Sequence, residues 1–498
     1  MDLFHNLIFG FSVALSFQNI LYCFIGCLLG TLVGVLPGIG PLATIAMLLP
    51  LTFNVSPIPA LIMLAGIYYG AMYGGSTTSI LVNLPGETAS VVTCIDGYQM
   101  ARQGRAGPAL AIAAIGSFFA GTICTMVIAL FGPPIAEIAL KFRAPEYFSL
   151  MLMGLITAAV LAQGDMSKSL AMVVLGLLLG IVGTDLNTGV QRFSFDILEL
   201  TDGISFVVIA VGVFAVGEII SNLGDLGERQ VFTSKVTHLF PSKEDLKKSI
   251  FPIMRGTVLG AFFGVLPGTG PAIASFSSYM VEKKLSKDPS RFGQGAIEGV
   301  AGPEAANNAD AQCKFIPMLT LGIPASGTMA LMLGALIIQG ITPGPQVMVK
   351  NPDLFWGLIA SMWVGNLMLV VLNLPLVGFW VYMLKVPYRL LFPAILVFSC
   401  IGIYSVNNSS VELYLAALFG AIGFLWMKFG CPAAPMLLGF VLGPMLEENL
   451  RRALLLSRGD PSVFFRRPIS LAFLIATALI LLTMATPAVR KRQRQITD

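Results

Sequence analysis

The chain has 498 residues, of which 56% are hydrophobic and 11% charged, against about 25% charged residues in soluble domains. With a mean hydropathy of +0.84, a soluble globular protein is excluded. Basic and acidic residues nearly cancel, 30 against 26 for a formal net charge of +4, so the dense basic stripe of a nucleic-acid-binding protein is missing. No Lys or Arg precedes Arg102, a stretch long enough for several bilayer crossings at about 20 residues each, and the chain reads as an all-α polytopic membrane protein.

The N-terminal MDLFHNLIFGFSVALSF lacks the positive n-region and the small-residue cleavage site of a secretory signal and is read as retained. His5, Asn6, Ser12, Ser16 and Gln18 break its apolar run, which predicts an interfacial or short first helix. Apolar runs then predict membrane segments near 20–36, 41–53, 58–74, 108–131, 145–162, 168–183 and 204–220. A second series follows near 250–266, 271–281, 315–340, 355–382, 388–404, 411–427, 433–446 and 468–486. Several are too short to span, and 52 Gly and 30 Pro interrupt them. Broken backbone is tolerated at membrane depth only where protein or a water-filled cavity covers it, so these breaks mark candidate sites.

The expected organisation is a first membrane repeat over 1–220, a polar linker over 221–255, a second repeat over 256–446, and a C-terminal span with a basic tail over 447–498. Arg229, Lys235, Lys243, Lys247, Lys248 and Arg255 in the linker, and Arg490, Lys491, Arg492 and Arg494 in the tail, predict that both face the cytoplasm. Searching for self-similarity aligns GCLLGTLVGVLPGIGP (26–41) with GTVLGAFFGVLPGTGP (256–271) at an offset of 230 residues. Glycines 26, 30 and 34, and again 256, 260 and 264, recur every four residues on one helix face, where backbones can approach closely. Each helix must then stop at Pro-Gly-x-Gly-Pro, Pro37, Gly38, Gly40 and Pro41 in one half and Pro267, Gly268, Gly270 and Pro271 in the other, because prolines bracket residues free to adopt positive φ. A weaker echo follows each break, YGGSTTSILVNLPGETAS (73–90) and PMLTLGIPASGTMA (317–330), each with a Pro opening a small, hydroxyl-rich turn. Paired interruptions of this kind in two halves point to a secondary-transporter site near the bilayer midplane.

The chemistry available is narrow. Seven scattered cysteines without a CxxC pair, and only His5 and His238, argue against a disulfide framework, a transition-metal site and a Ser-His-Asp triad; Cys23 and Cys27 read as packing residues. No GxxxxGK[ST] is present, so transport needs an ion gradient or a partner ATPase. HExxH, GxSxG and kinase signatures are also missing, and the chain is not read as an enzyme. Glu87, Asp96, Glu137, Asp165, Asp185, Glu304 and Asp310 lie close to apolar segments, where carboxylates are expensive and often functional. The passage GPEAANNADAQCKF (302–315) collects Glu304, Asn307, Asn308, Asp310, Gln312 and Lys314. Asn307, Asn308 and Asp310 are candidate ligands of a coupling cation, Na+ or H+, since hard cations prefer oxygen; helix capping by the two asparagines is the alternative. Ser76, Thr77, Thr78, Ser79 and Asn83, with Ser326 and Thr328 in the second echo, offer uncharged donors to an anion, aided by half-helices starting after Pro41, Pro85, Pro271 and Pro324. Interhelical hydrogen bonding is the plainer reading of the hydroxyls. Trp363, Trp380, Trp426, Tyr68 and Tyr69 are assigned to packing or the interface belt.

GTLVGVLPGIGP, YYGAMYGGSTTSILVNLPGETAS, DGYQMARQGRAGPAL, FRAPEYF, GTDLNTGVQRFSF, PEAANNA and LGIPASGT with ITPGP resemble the large membrane subunit of the tripartite tricarboxylate transporters, over most of residues 20–220 and 250–345. One departure is Ala325, where the family more often has Gly. The resemblance implies a bacterial inner-membrane permease working with a small four-helix membrane subunit and a periplasmic solute-binding protein that delivers a carboxylate. It implies secondary transport coupled to sodium or protons and an elevator-like architecture of two halves, expected as inverted repeats with re-entrant hairpins. By the same carry-over, the Pro-Gly-x-Gly-Pro turns, Ser76–Ser79 and 307–310 surround substrate and ions, with no cofactor. Moving a trianion inward against 100 mV costs roughly 7 kcal/mol, which co-transported cations must offset. A re-entrant channel and an intramembrane enzyme using Asp96, Asp185 or Asp310 are the competing readings.

Overall fold

The computed structural model describes residues 3–36, 40–162, 165–185, 188–223, 239–383 and 388–485. Pro37 and Gly38, residues 224–238 of the predicted linker and the basic tail lie outside them. The first half holds α1 (Leu3–Ala14), α2 (Phe17–Val35), α3 (Pro41–Leu48), α4 (Pro57–Val82), α5 (Val91–Arg102), α6 (Ala106–Ala139), α7 (Ala144–Leu161) and α8 (Met166–Gly180). A short antiparallel ladder, β1 (Gly183–Thr184) with β2 (Gln191–Arg192), precedes α9 (Phe206–Ala210) and α10 (Gly217–Leu223), which a π-helical stretch joins over 211–216.

The second half continues with α11 (Lys243–Val265), α12 (Pro271–Leu285), α13 (Glu298–Cys313), α14 (Phe315–Leu321), α15 (Gly327–Ile338), α16 (Gln346–Lys350) and α17 (Pro352–Asn373). After these come α18 (Val377–Met383), α19 (Tyr388–Asn407), α20 (Ser410–Lys428), α21 (Ala433–Leu456), α22 (Val463–Arg466) and α23 (Pro468–Ala485). Among the described residues six helices are long and apolar enough to cross a membrane: α2, α4, α6, α7, α17 and α20. α1, with 12 residues, reaches about 18 Å and falls short of the roughly 30 Å hydrocarbon core.

Both glycine-striped helices end where the prolines require: α2 stops at Val35 and the chain re-enters helix at Pro41, and α11 stops at Val265 with re-entry at Pro271. The stripes set the packing. A Cβ on Gly26, Gly30 or Gly34 would overlap the carbonyl oxygens of Met63, Ile67 and Ala71 on α4. On α11, a Cβ at Gly256, Gly260 or Gly264 would meet Gly302, Ala306 and Asp310 on α13 in the same way. The opposite face of α11 carries exposed Phe251, Val258 and Phe262, an apolar surface that only lipid or another apolar chain satisfies. α4 and α13 are thereby the two innermost helices, buried along almost their whole lengths.

Charged pairs collect at two ends of the bundle. At the end where α11 starts, Arg105 pairs with Asp245, Arg255 with Glu282 and Arg291 with Glu298. At the other, Arg451 bridges Asp185 and Glu447, Arg192 reaches Glu447, and Arg467 reaches Glu146. In the loop at that end, the Ser462 hydroxyl and N–H hold the Asp460 carboxyl below the usual carboxylate range.

Several expectations change. The helix predicted near 58–74 runs on to Val82, because the hydroxyls of Thr78 and Ser79 bond to carbonyls of their own preceding turn and leave the helix intact. The turn itself is confined to Asn83–Glu87. The segment predicted at 315–340 is two helices, divided at Gly322 (φ 72°). α6 continues through Pro133 and Pro134 beyond its predicted end. α11 begins at Lys243, inside the predicted linker, where Ser242 and Asp245 bond reciprocally at its start.

Candidate functional site

A cavity of about 690 Å³ opens where the broken helices meet, within the usual range of ligand pockets, roughly 300–1,000 Å³. Four helices begin at its wall: α3 at Gly40 and Pro41, α12 at Gly270 and Pro271, α15 at Ser326–Thr328, and α21 at Pro432–Pro435. Pro85, Gly86, Glu87 and Thr88 add the turn that leads into α5. A helix N-terminus carries about half a positive charge and unpaired N–H groups. Convergence of several therefore builds a positive potential without a basic side chain, and among the described residues no Lys or Arg lines the cavity.

The tips are tied together. Gly268 (φ 80°) donates its N–H to the Ala325 carbonyl at 2.9 Å, so the second Pro-Gly break docks on the tip of the α14–α15 hairpin. Positive φ is open to Gly at little strain, and a Cβ there would press on Ala158. The Ser326 hydroxyl accepts from the Met329 N–H at 3.3 Å, capping α15. Two carboxylates face the space, Glu87 and Glu218. Glu218 accepts from the Gly40 N–H at 3.4 Å, which sets a carboxylate at the start of α3.

Of the residues singled out from the sequence, Gly40, Gly268, Gly270, Ser326 and Thr328 line this cavity. Pro267 stands next to it, half-buried, whereas Pro37 and Gly38 lie outside the described residues. Ser76, Thr77, Thr78, Ser79 and Asn83 do not line it. Ser76 donates to Glu304 Oε2 at 2.5 Å, Thr93 donates to the other oxygen of the same carboxylate, and Asn83 (φ 56°) ends α4 in left-handed conformation.

The polar passage 302–315 is neither loop nor cap. α13 carries it through the interior, with Glu304, Asn307, Asn308, Asp310, Gln312 and Lys314 all buried. Asn307 and Asn308 diverge. Asn307 donates to Glu87 Oε1 at 2.9 Å, while Asn308 donates to the Ser117 hydroxyl at 2.7 Å and to the Glu304 carbonyl at 3.1 Å. Asp310 forms an ion pair with Lys314 one turn on, both fully buried. Asp96 belongs to the frame: its Oδ1 accepts the N–H groups of Gly293, Gly295 and Ala296, each at 2.8 Å, and its Oδ2 accepts the Tyr279 hydroxyl at 2.9 Å.

Sequence reasoning missed Glu218, Tyr68 and the start of α21. Glu218 had a usable signal, a lone charge in the apolar run 204–220. Tyr68 was assigned to packing yet lines the cavity, and nothing in its apolar surroundings marks it out.

Fold and site together define a polytopic α-helical membrane protein whose broken helices point their N-termini into a shared cavity. The chain belongs to the tripartite tricarboxylate transporter TctA family, whose model matches residues 20–438. It is 59% identical over 497 residues to an uncharacterized 52.8 kDa protein in the TAR-I ttuC' 3' region of Agrobacterium vitis, covering 100% of this chain and 99% of that protein. It is also 58% identical over 238 residues, 48% of this chain, to an uncharacterized protein in the TAR-II ttuC' 3' region of the same organism, covering 98% of that protein. No solved structure matches the chain.

Proposed function

We propose that the chain is the large permease subunit of a binding-protein-dependent secondary transporter that imports a tricarboxylate or related carboxylate down a sodium or proton gradient. The observation that carries this reading is the cavity of about 690 Å³ fed by four helix N-termini and lined, among the described residues, by no Lys or Arg. Backbone N–H groups hold carboxylates without a fixed countercharge, and a carrier benefits because binding stays weak enough to release. Gly40, Gly268, Gly270, Ser326 and Thr328 then contact substrate, with Pro267 shaping the second turn. Asn307 and Asp310 are assigned to the coupling cation, while Asn308 is engaged with Ser117 and the Glu304 carbonyl beside them.

Two further features support an elevator of two inverted repeats. The glycine stripes of α2 and α11 make the same carbonyl contacts with α4 and α13, and α4 and α14 end alike, in left-handed Asn83 and Gly322 followed by Leu84-Pro85 and Ile323-Pro324. In this reading the protein sits in a bacterial inner membrane with the 221–255 loop and the C-terminus cytoplasmic. A periplasmic solute-binding protein delivers substrate, and a small four-helix subunit completes the membrane complex.

Cys431 lines the cavity and provides the test. Its modification by a water-soluble methanethiosulfonate is expected to slow in the presence of citrate or another transported carboxylate. A rate indifferent to every di- and tricarboxylate offered would remove the cavity as the substrate site.

A further inference from the structure

The cavity accounts for an anion but leaves unexplained four ionisable side chains, Glu87 in its wall and Glu304, Asp310 and Lys314 behind it. Three carboxylates against one ammonium leave an excess of negative charge in a medium where unpaired charge is strongly disfavoured. The local hydrogen bonds show where that excess is unmet. Both oxygens of Glu304 receive hydroxyl hydrogens, from Ser76 and Thr93. Asp310 Oδ2 receives the Lys314 ammonium. Asp310 Oδ1 and Asn307 Oδ1, by contrast, are shielded from solvent and accept no hydrogen bond among the described residues.

Asn307 and Asp310 stand three residues apart on α13, which puts their side chains on the same helix face. The Asn307 amide nitrogen is engaged with Glu87 Oε1 at 2.9 Å, and Glu87 lines the cavity. Glu87 thus links the cavity to Asn307, and Asp310 follows one helical turn on. Asn308 is directed to Ser117 and Glu304 on a different side.

We infer that Asn307 Oδ1, Asp310 Oδ1 and the Glu87 carboxylate form a sodium site that opens to the substrate cavity. Hard oxygen donors of mixed amide and carboxylate type suit an alkali or alkaline-earth ion. Of the three ligands Asn307 is neutral and Asp310 is already offset by Lys314, so the single unmatched charge, on Glu87, suits a monovalent one. A proton would satisfy one acceptor, whereas a metal ion satisfies two spare acceptors on adjacent turns at once. Lys314 holds Asp310 in place while the site is empty, and the Glu304 carboxylate adds attraction without acting as a ligand. The inference rests on the transporter reading above only in making this ion the coupling ion; the site itself is tested without transport.

The experiment is equilibrium binding of ²²Na+ to the purified full-length chain in lipid nanodiscs, in choline buffer without substrate. Saturable binding at millimolar sodium is expected, weakened about tenfold or more in Asn307→Ala and Asp310→Asn and weakened in Glu87→Gln. Asp288→Asn, in an exposed loop, is expected to bind as the parent does. Asp310→Asn removes the partner of a buried ammonium and risks misfolding, so Asn307→Ala, monitored by its melting temperature, carries the decision. A parent protein that binds no sodium, or an Asn307→Ala protein of parental melting temperature that binds it undiminished, would overturn the site. Uptake driven by a proton gradient in that case would leave the carboxylate-transporter reading standing.

Discussion

At the scale of single residues, buried polar groups divide into those that hold the frame and those that face the cavity. Asp96 is of the first kind, fully buried with four donors on its two oxygens. Asp96→Asn replaces a charged acceptor by an amide that clashes electrostatically with at least one of those N–H groups, and a loss of about 2–3 kcal/mol is expected. The check is chemical unfolding in detergent, with Tyr279→Phe expected to lose about 1 kcal/mol. Ser76 was proposed from sequence as a substrate ligand, yet its hydroxyl serves Glu304. Ser76→Ala should therefore alter the cation dependence of transport and leave the half-saturating carboxylate concentration unchanged at high cation. Thr328→Val should do the reverse, since Thr328 lines the cavity; initial-rate kinetics at two cation concentrations separate them. The carboxylates show how far single residues were legible. Glu87, Glu304 and Asp310 could be suspected because an intramembrane carboxylate is rare, but the partners of Glu87 and Glu304 lie more than 200 residues away in sequence, and no local pattern encodes that pairing.

At the scale of helices, small residues decide how closely the backbones pack. Gly30→Ala and Gly260→Ala would drive a methyl into the carbonyls of Ile67 and Ala306, with an expected loss of about 1–3 kcal/mol each. Gly270 makes the informative contrast, because a Cβ there meets nothing within 4 Å. Gly270→Ala should melt as the parent does while the half-saturating carboxylate concentration rises, the methyl intruding on the start of α12. Melting curves of the three variants beside uptake kinetics check the pair of statements. This level was the most readable from sequence: the four-residue glycine spacing and the bracketing prolines announced α2, α11 and their breaks, since both follow from backbone sterics. The α4 hydroxyl cluster misled for an equally local reason. Ser and Thr favour turns when exposed, but in an apolar interior they bond to the carbonyl four residues back and the helix continues, as at Ser79.

At the scale of the whole molecule, two elements of the first half, α3 and the 85–88 turn, and two of the second, α12 and α15, bring their ends to one cavity. Ion pairs gather toward the bundle ends, and the Asp310–Lys314 pair is fully buried between them. The contribution of α21 was not legible, because the wall it adds is set by its packing on α8, where Gly176 and Gly439 meet the carbonyls of Met436 and Val173. The most direct measurement is uptake of labelled citrate into proteoliposomes holding this chain, its small subunit and its binding protein, under an imposed sodium gradient and then a proton gradient. Accumulation above equilibrium under the sodium gradient, dependent on the binding protein, is the predicted result. Equilibration of citrate or any other carboxylate without either gradient would contradict the account and make the protein a channel.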